Sequence, residues 1–200
     1  MPIHDHVSAS GVDIVALARY LDGLDDATRI REVRELSRGE QARLFEAALG
    51  ARPVTLADFV PAGTAPLAQV IHYGRNSLPL FRIFEKRFCR PAETESDGVL
   101  WGYNEHSVRW MTGPGYFVAK AHAPGEVLVD YLEVPPGKPD AWPPVKPNSS
   151  GRGRFVYGGT QDVVRGVSRH VSIGRATRRG KPMDNWFVLC RGEPAERADG

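Results

Sequence analysis

From Gly98 onward the chain is cut into short segments of β character by closely spaced turn signals, and this constrains its fold more than any other feature. Val99–Tyr103, Ser107–Met111, Tyr116–His122 and Val127–Val134 read as strands, separated by Asn104-Glu105, Gly113-Pro114-Gly115 and Pro124-Gly125. After a longer break come Arg154–Tyr157, Asp162–Ile173 and Trp186–Arg191, with Gly180-Lys181-Pro182 turning the chain before the last. Strands this close in sequence pair as antiparallel neighbours. Six or seven of them imply a strongly curved sheet or partly closed barrel, because closure removes exposed edges.

The front of the chain follows a different period. Residues 11–50 read as three amphipathic helices. In the first, Val12, Val15, Leu17, Ala18 and Leu21 share a stripe, with Ser10 as the expected N-cap and Asp22-Gly23 as the turn. A second spans about Asp26 to Leu36. The third opens on Ser37-Arg38-Gly39-Glu40, which has capping-box spacing, and closes at Gly50. Residues 51–97 form a loop-and-helix section: Arg52 to Pro66 is a loop with a helical turn at Leu56–Phe59, and 92–97 is a solvated loop. Between them, Ser77 to Phe88 alternates passably as a strand, but the spacing of Leu80, Phe81, Phe84 and Phe88 favours a helix. The expected fold is therefore α+β, with N-terminal helices packed on a curved antiparallel β-sheet or partly closed β-barrel. One domain spans 1–200, with 98–191 as its β part and 192–200 as a frayed tail.

Composition narrows the function classes. With 200 residues and 42% hydrophobic content, the chain can bury a substantial core. A net charge of +2 gives no independent argument for nucleic acid. No run of 18 apolar residues predicts a membrane span, and MPIHDHVSAS lacks the basic start and apolar core of a secretory signal. Cys89 and Cys190 are too few for a disulfide framework and are expected reduced and buried. These features point to a cytoplasmic protein.

Candidate chemistry is sparse. The stretch Val163 to Ile173, VVRGVSRHVSI, read as one strand, puts Val164, Gly166, Ser168, His170 and Ser172 on a small polar face suited to a cavity. His170 is a candidate acid–base or hydrogen-bonding group beside Ser168 and Ser172, although a histidine in a strand is more often structural. Asp130 shares a face with Leu128 and Leu132, so it is either paired with an arginine or a general base. His72, His106, His122 and His170 have no close spacing, so no metal site is expected, and no cofactor motif is present. No Gly-x-Ser-x-Gly occurs, and Gly113-Pro114-Gly115 is not a phosphate loop because Pro114 removes a donor.

Two further segments carry alternatives. Pro135 to Pro147 holds six prolines in thirteen residues and is stiff and extended. Trp142 at its middle either pins a crossover onto the body or closes a ligand site as a lid. From Gly151 to Lys181 there are seven arginines and one lysine against the single acid Asp162, with Phe155 and Tyr157 interleaved. Such a surface could take single-stranded nucleic acid or protein, but solvated strands with positive turns are the commoner explanation.

The leading expectation is a protein that binds a small, partly apolar ligand within the curved sheet or barrel. Trp101, Tyr103, Trp110, Tyr116, Phe117, Trp142 and Trp186 would supply walls, and His170, Asp130, Ser168 and Ser172 the polar handles. The alternatives are a small-molecule enzyme with a His170/Asp130 acid–base pair, and an interaction module using the Arg-rich β surface.

Overall fold

A computed structural model describes residues 2–79, 82–92, 98–149 and 153–193. It contains, in chain order, α1 (Ile3–His6), β1 (Val7–Ser8), β2 (Gly11–Val12), α2 (Ile14–Asp22), α3 (Asp26–Glu35), α4 (Arg38–Ala47) and α5 (Leu56–Phe59). Then follow β3 (Val70–Asn76), β4 (Ile83–Cys89), β5 (Val99–Glu105), α6 (Arg109–Thr112), β6 (Phe117–Ala121), β7 (Glu126–Asp130), α7 (Gly153–Val156), β8 (Thr160–Gly166), β9 (Val171–Arg178) and β10 (Lys181–Arg191). The architecture is α+β: strands β3 to β10 form a closed eight-stranded barrel, accompanied by helices.

Every barrel pair is antiparallel, and each strand pairs with its neighbour in sequence. The circuit closes where the last strand meets the first, from Phe187 opposite Asn76 to Arg191 opposite His72. Closure leaves no free edge, which is the physical advantage of this meander over an open sheet.

Alternation along the strands sorts the apolar residues into three clusters. Inward residues such as Phe88, Leu100, Phe117, Val127, Val129, Val164 and Leu189 form the barrel core. The segment carrying α5 covers one end of this core, inserting Val54, Phe59 and Val60. Outward residues of β9 and β10, including Ile173, Val188 and Cys190, pack beneath Leu17, Leu21, Val33 and Leu44 of the helices. Outward residues Cys89, Trp101, Tyr103 and Val118 lie beneath the proline-rich segment through Trp142 and Val145.

The capping box at Ser37 and Glu40 is present as expected: Ser37 Oγ accepts from Glu40 N–H, and Glu40 Oε2 accepts from Ser37 N–H. The first cap is different. Asp13, not Ser10, accepts from Ala16 N–H at 3.0 Å, because Gly11–Val12 pairs with Val7–Ser8 and delays the helix to Ile14.

Five segments differ from their sequence-based assignment. Val70–Asn76, expected within the loop-and-helix section 51–97, forms β3, held by β4 on one edge and β10 on the other. Residues 83–89, expected within a helix, form β4, where β3 and β5 satisfy both backbone edges; Leu80 and Phe81 lie outside the described residues. Ser107–Met111 is not a strand: the chain turns there into α6, and Gly113 and Gly115, at φ +80° and +55°, return it to β6. Arg154–Tyr157 belongs largely to α7, whose Gly153 O accepts from Tyr157 N–H. Finally, Asp162–Ile173 is not one strand. Val167 and Ser168 both donate their N–H groups to Val171 O, making a tight turn between β8 and β9. The expected face through Ser168 and His170 therefore does not exist. Of the loop 92–97 and the tail 192–200, only Ala92, Gly192 and Glu193 lie within the described residues.

Candidate ligand-binding site in the barrel

One half of the barrel interior is filled and the other is open. At the filled end, His72 Nε2 lies 2.9 Å from Phe59 O, and its ring sits against Phe59 and Phe88. At the other end is a cavity of about 300 Å³, walled in part by Asn76, Phe84, Thr160, Ala176, Asn185 and Phe187. Its polar floor consists of Lys86 from β4, Asn104 from β5, Asp162 from β8 and Tyr131 just beyond β7.

Strand parity places these groups. Phe84, Lys86 and Phe88 are inward residues of β4, while Glu85 and Arg87 face outward and pair with each other. Lys86 is 2% exposed and Asp162 4%. Lys86 Nζ donates to Asp162 Oδ2 and Asn104 Oδ1, both at 3.2 Å, and to the Tyr131 hydroxyl. Asn104 Nδ2 in turn donates to the Tyr131 hydroxyl oxygen at 3.0 Å and to Gly115 O at 3.1 Å. All three ammonium protons thus have acceptors.

Aromatic rings surround the amine. The centroids of Phe187, Tyr131 and Phe117 lie 4.8, 4.9 and 5.0 Å from Nζ, with Phe84 at 5.9 Å. Inward glycines admit these rings. A Cβ on Gly174 would stand 2.1 Å from Phe187, one on Gly102 2.3 Å from Phe117, and one on Gly74 2.5 Å from Phe84. The close approach of ring to backbone requires glycine at each position.

Burial dominates the electrostatics. It pushes the Lys86 ammonium below its ordinary range, with Asp162 acting against the shift. It raises the Asp162 carboxyl, with Lys86 opposing, and drives the Tyr131 phenol well up. Burial thus draws both members of the ion pair toward their neutral forms, while each holds the other charged.

At the mouth, Tyr157 stacks on Tyr131 with centroids 5.3 Å apart, and its hydroxyl lies 3.1 Å from His106 Nε2. Arg178 reaches from β9 to hold α7, donating to Phe155 O at 2.9 Å and Val156 O at 3.3 Å. Phe155 itself is 66% exposed.

The residues expected from sequence to form the site lie elsewhere. Asp130 is outward-facing at the mouth end of β7, where it pairs with Lys120 at 3.3 Å and accepts from Gln161 Nε2 at 2.8 Å. His170 occupies the β8–β9 turn at the filled end, its Nδ1 3.2 Å from Arg191 Nη2. The structure does not bring Asp130 and His170 together. Ser168 and Ser172 border a void of only about 10 Å³ beside His72, room for one water.

Trp101, Tyr103 and Tyr116 face outward under the proline-rich segment, and Trp142 is pinned there at 3% exposure, donating from Nε1 to Gln69 Oε1 at 2.8 Å. Trp186 also faces outward, between Arg38 and Arg175. Trp110 is 83% exposed beside the mouth. Phe117 alone of the expected wall residues points inward beside Lys86.

Three arginines of the basic stretch are engaged within the molecule: Arg165 with Glu126 and Phe45 O, Arg175 with Asp184 and Met183 O, Arg178 with α7. Arg152 lies outside the described residues.

Sequence reasoning missed Lys86, Asn104, Tyr131 and Asp162. A signal existed for two of them: Lys86 is the charge that shares strand parity with Phe84 and Phe88, and Asp162 is the lone acid in the basic stretch. Among the described residues no group of His, Cys, Asp or Glu is placed to hold a metal ion, and no helix is long and apolar enough to cross a membrane. No protein-family model matches the chain, and no curated protein matches it in sequence.

Proposed function

We propose that this protein binds a small, partly apolar molecule in the open half of the barrel. The ligand's polar end meets Lys86, Asp162, Tyr131 and Asn104, and its apolar part lies against Phe84, Phe187 and Val156. The observation that carries this reading is the position of the buried Lys86–Asp162 pair at the floor of the 300 Å³ cavity. A buried ion pair contributes little to stability compared with apolar residues of the same volume, so its presence beside a cavity favours a role in recognition. The cavity has the form common to small-ligand sites: mostly apolar walls with a few convergent polar groups, at the lower end of the usual size range. Cys89 and Cys190 are free and buried, their thiols pushed up to about 12 by burial.

Native mass spectrometry of the purified protein against a panel of small carbonyl compounds, alcohols and carboxylates tests the reading. Bound masses are expected in the wild type and their loss in Ala176→Trp, which fills the cavity from the β9 wall at the position opposite Asp162. An apo mass across the panel, or binding unchanged by that substitution, overturns it.

A further inference from the structure

Lys86 is placed to do more than hydrogen-bond a ligand. We infer that the barrel takes carbonyl compounds, aldehydes or ketones, and holds them as an imine on Lys86 Nζ. This deepens the cavity reading and rests on it. The amine is at the floor of a cavity of about 300 Å³, so a molecule entering the mouth meets it end-on. A proton acceptor is already in contact, Asp162 Oδ2 at 3.2 Å, and the Tyr131 hydroxyl touches the same nitrogen. Four aromatic rings enclose the nitrogen and keep water from competing for the carbonyl carbon. Burial also lowers the basicity of Lys86, which raises the share of neutral, nucleophilic amine.

The step balances without a further reagent. The Lys86 ammonium passes one proton to Asp162, and the freed lone pair attacks the carbonyl carbon, forming the C–N bond. Asp162 returns the proton to the carbonyl oxygen, giving a carbinolamine protonated on nitrogen. A second proton then moves from nitrogen through Asp162 to the hydroxyl, the C–O bond breaks, and water leaves. Ammonium and carbonyl become iminium and water, and Asp162 ends as the carboxylate paired with the iminium. Tyr131 stays protonated throughout, its O–H available to the developing alkoxide.

The other lysines, Lys120, Lys138, Lys146 and Lys181, serve as internal controls. The full-length protein is incubated with 2-naphthaldehyde and sodium cyanoborohydride at pH 7 and the labelled lysines are mapped by peptide mass spectrometry. In parallel, binding of 2-naphthalenemethanol, which cannot form an imine, is followed by native mass spectrometry. The expected result is labelling of Lys86 faster than each other lysine, because burial lowers its basicity and the cavity brings the aldehyde to it. Labelling of Lys86 should slow in Asp162→Asn and be blocked in Ala176→Trp, each shown folded by circular dichroism. If the alcohol binds and the aldehyde labels only the other lysines, the imine is overturned and the cavity reading stands. If neither binds nor labels Lys86, both are overturned. Lys86 labelled equally in Ala176→Trp also overturns the imine, since the reaction then does not pass through the cavity.

Discussion

Lys86 Nζ and Asp162 Oδ2 stand 3.2 Å apart inside the barrel, both side chains almost wholly removed from water. The Lys86 charge is compensated by Asp162, by Asn104 and Tyr131 and by the faces of four rings, and the Asp162 charge by Lys86 and Tyr131. Removing one partner leaves the other buried alone. Lys86→Met is therefore expected to lower stability by about 3–5 kcal/mol. The double variant Lys86→Met/Asp162→Asn should regain most of that loss, because no charge is left behind. Urea unfolding of the three proteins checks this; a double variant no more stable than Lys86→Met would show that the pair's charges are not what the barrel compensates.

Acid sensitivity should originate in part at His72. Burial lowers its pKa to about 3, against 6.5 for the ordinary side chain. Between those values the unfolded chain binds a proton that the folded barrel refuses. The contribution of His72 is intact above pH 6.5 and is lost as pH falls toward 3, with a slope of about 1.4 kcal/mol per pH unit. His72→Gln keeps a donor for Phe59 O and should flatten the stability profile over that window. Equal slopes for the two proteins would contradict the assignment.

Gly174 makes room for Phe187 at the level of Lys86. Adding a Cβ that would lie 2.1 Å from the ring forces the ring or the strand to move. Gly174→Ala is expected to cost about 1–3 kcal/mol, the usual range for overpacking. Combining it with Phe187→Leu should recover part of the loss, because the shorter side chain vacates the contested space. Thermal unfolding of the single and double variants reads this directly.

Arg178 holds α7 over the mouth through two backbone carbonyls. Arg178→Ala should leave the barrel's stability within about 0.5 kcal/mol of the wild type, as for surface changes generally, while amide exchange over residues 153–157 accelerates. Exchange that stays as slow as in the wild type would mean the helix is held by its other contacts.

The barrel's second half was legible in the sequence and its closure was not. Strands β5, β6, β7 and β10 carry the alternation and turn residues that mark strands. β3 does not: its inward positions are Val70, His72, Gly74 and Asn76, too polar to display a period. In β4, Phe84 and Phe88 are four apart, a spacing that suits a helix and a strand equally, and only pairing with β3 and β5 decides between them. The turn after Gly166 lacks proline and is flanked by Val167 and Val171, so two strands resembled one. The site was obscured for the same reason. Its lysine lies on β4, whose apolar spacing also fits a helix, and its aspartate is the single acid in a basic stretch. The tryptophans that drew attention as ligand walls are large apolar residues, and here the proline-rich segment and the helices cover most of them on the barrel's outer surface.

The most direct test of the account is the response of one nitrogen. With the lysines labelled with ¹⁵N, the Nζ resonances are followed while 2-naphthalenemethanol is added. A ligand seated against Lys86 gives a saturable shift of the Lys86 signal alone, absent in Ala176→Trp, with Lys120, Lys138, Lys146 and Lys181 unmoved. A Lys86 resonance that does not move while the alcohol binds, or that moves equally in Ala176→Trp, would contradict it.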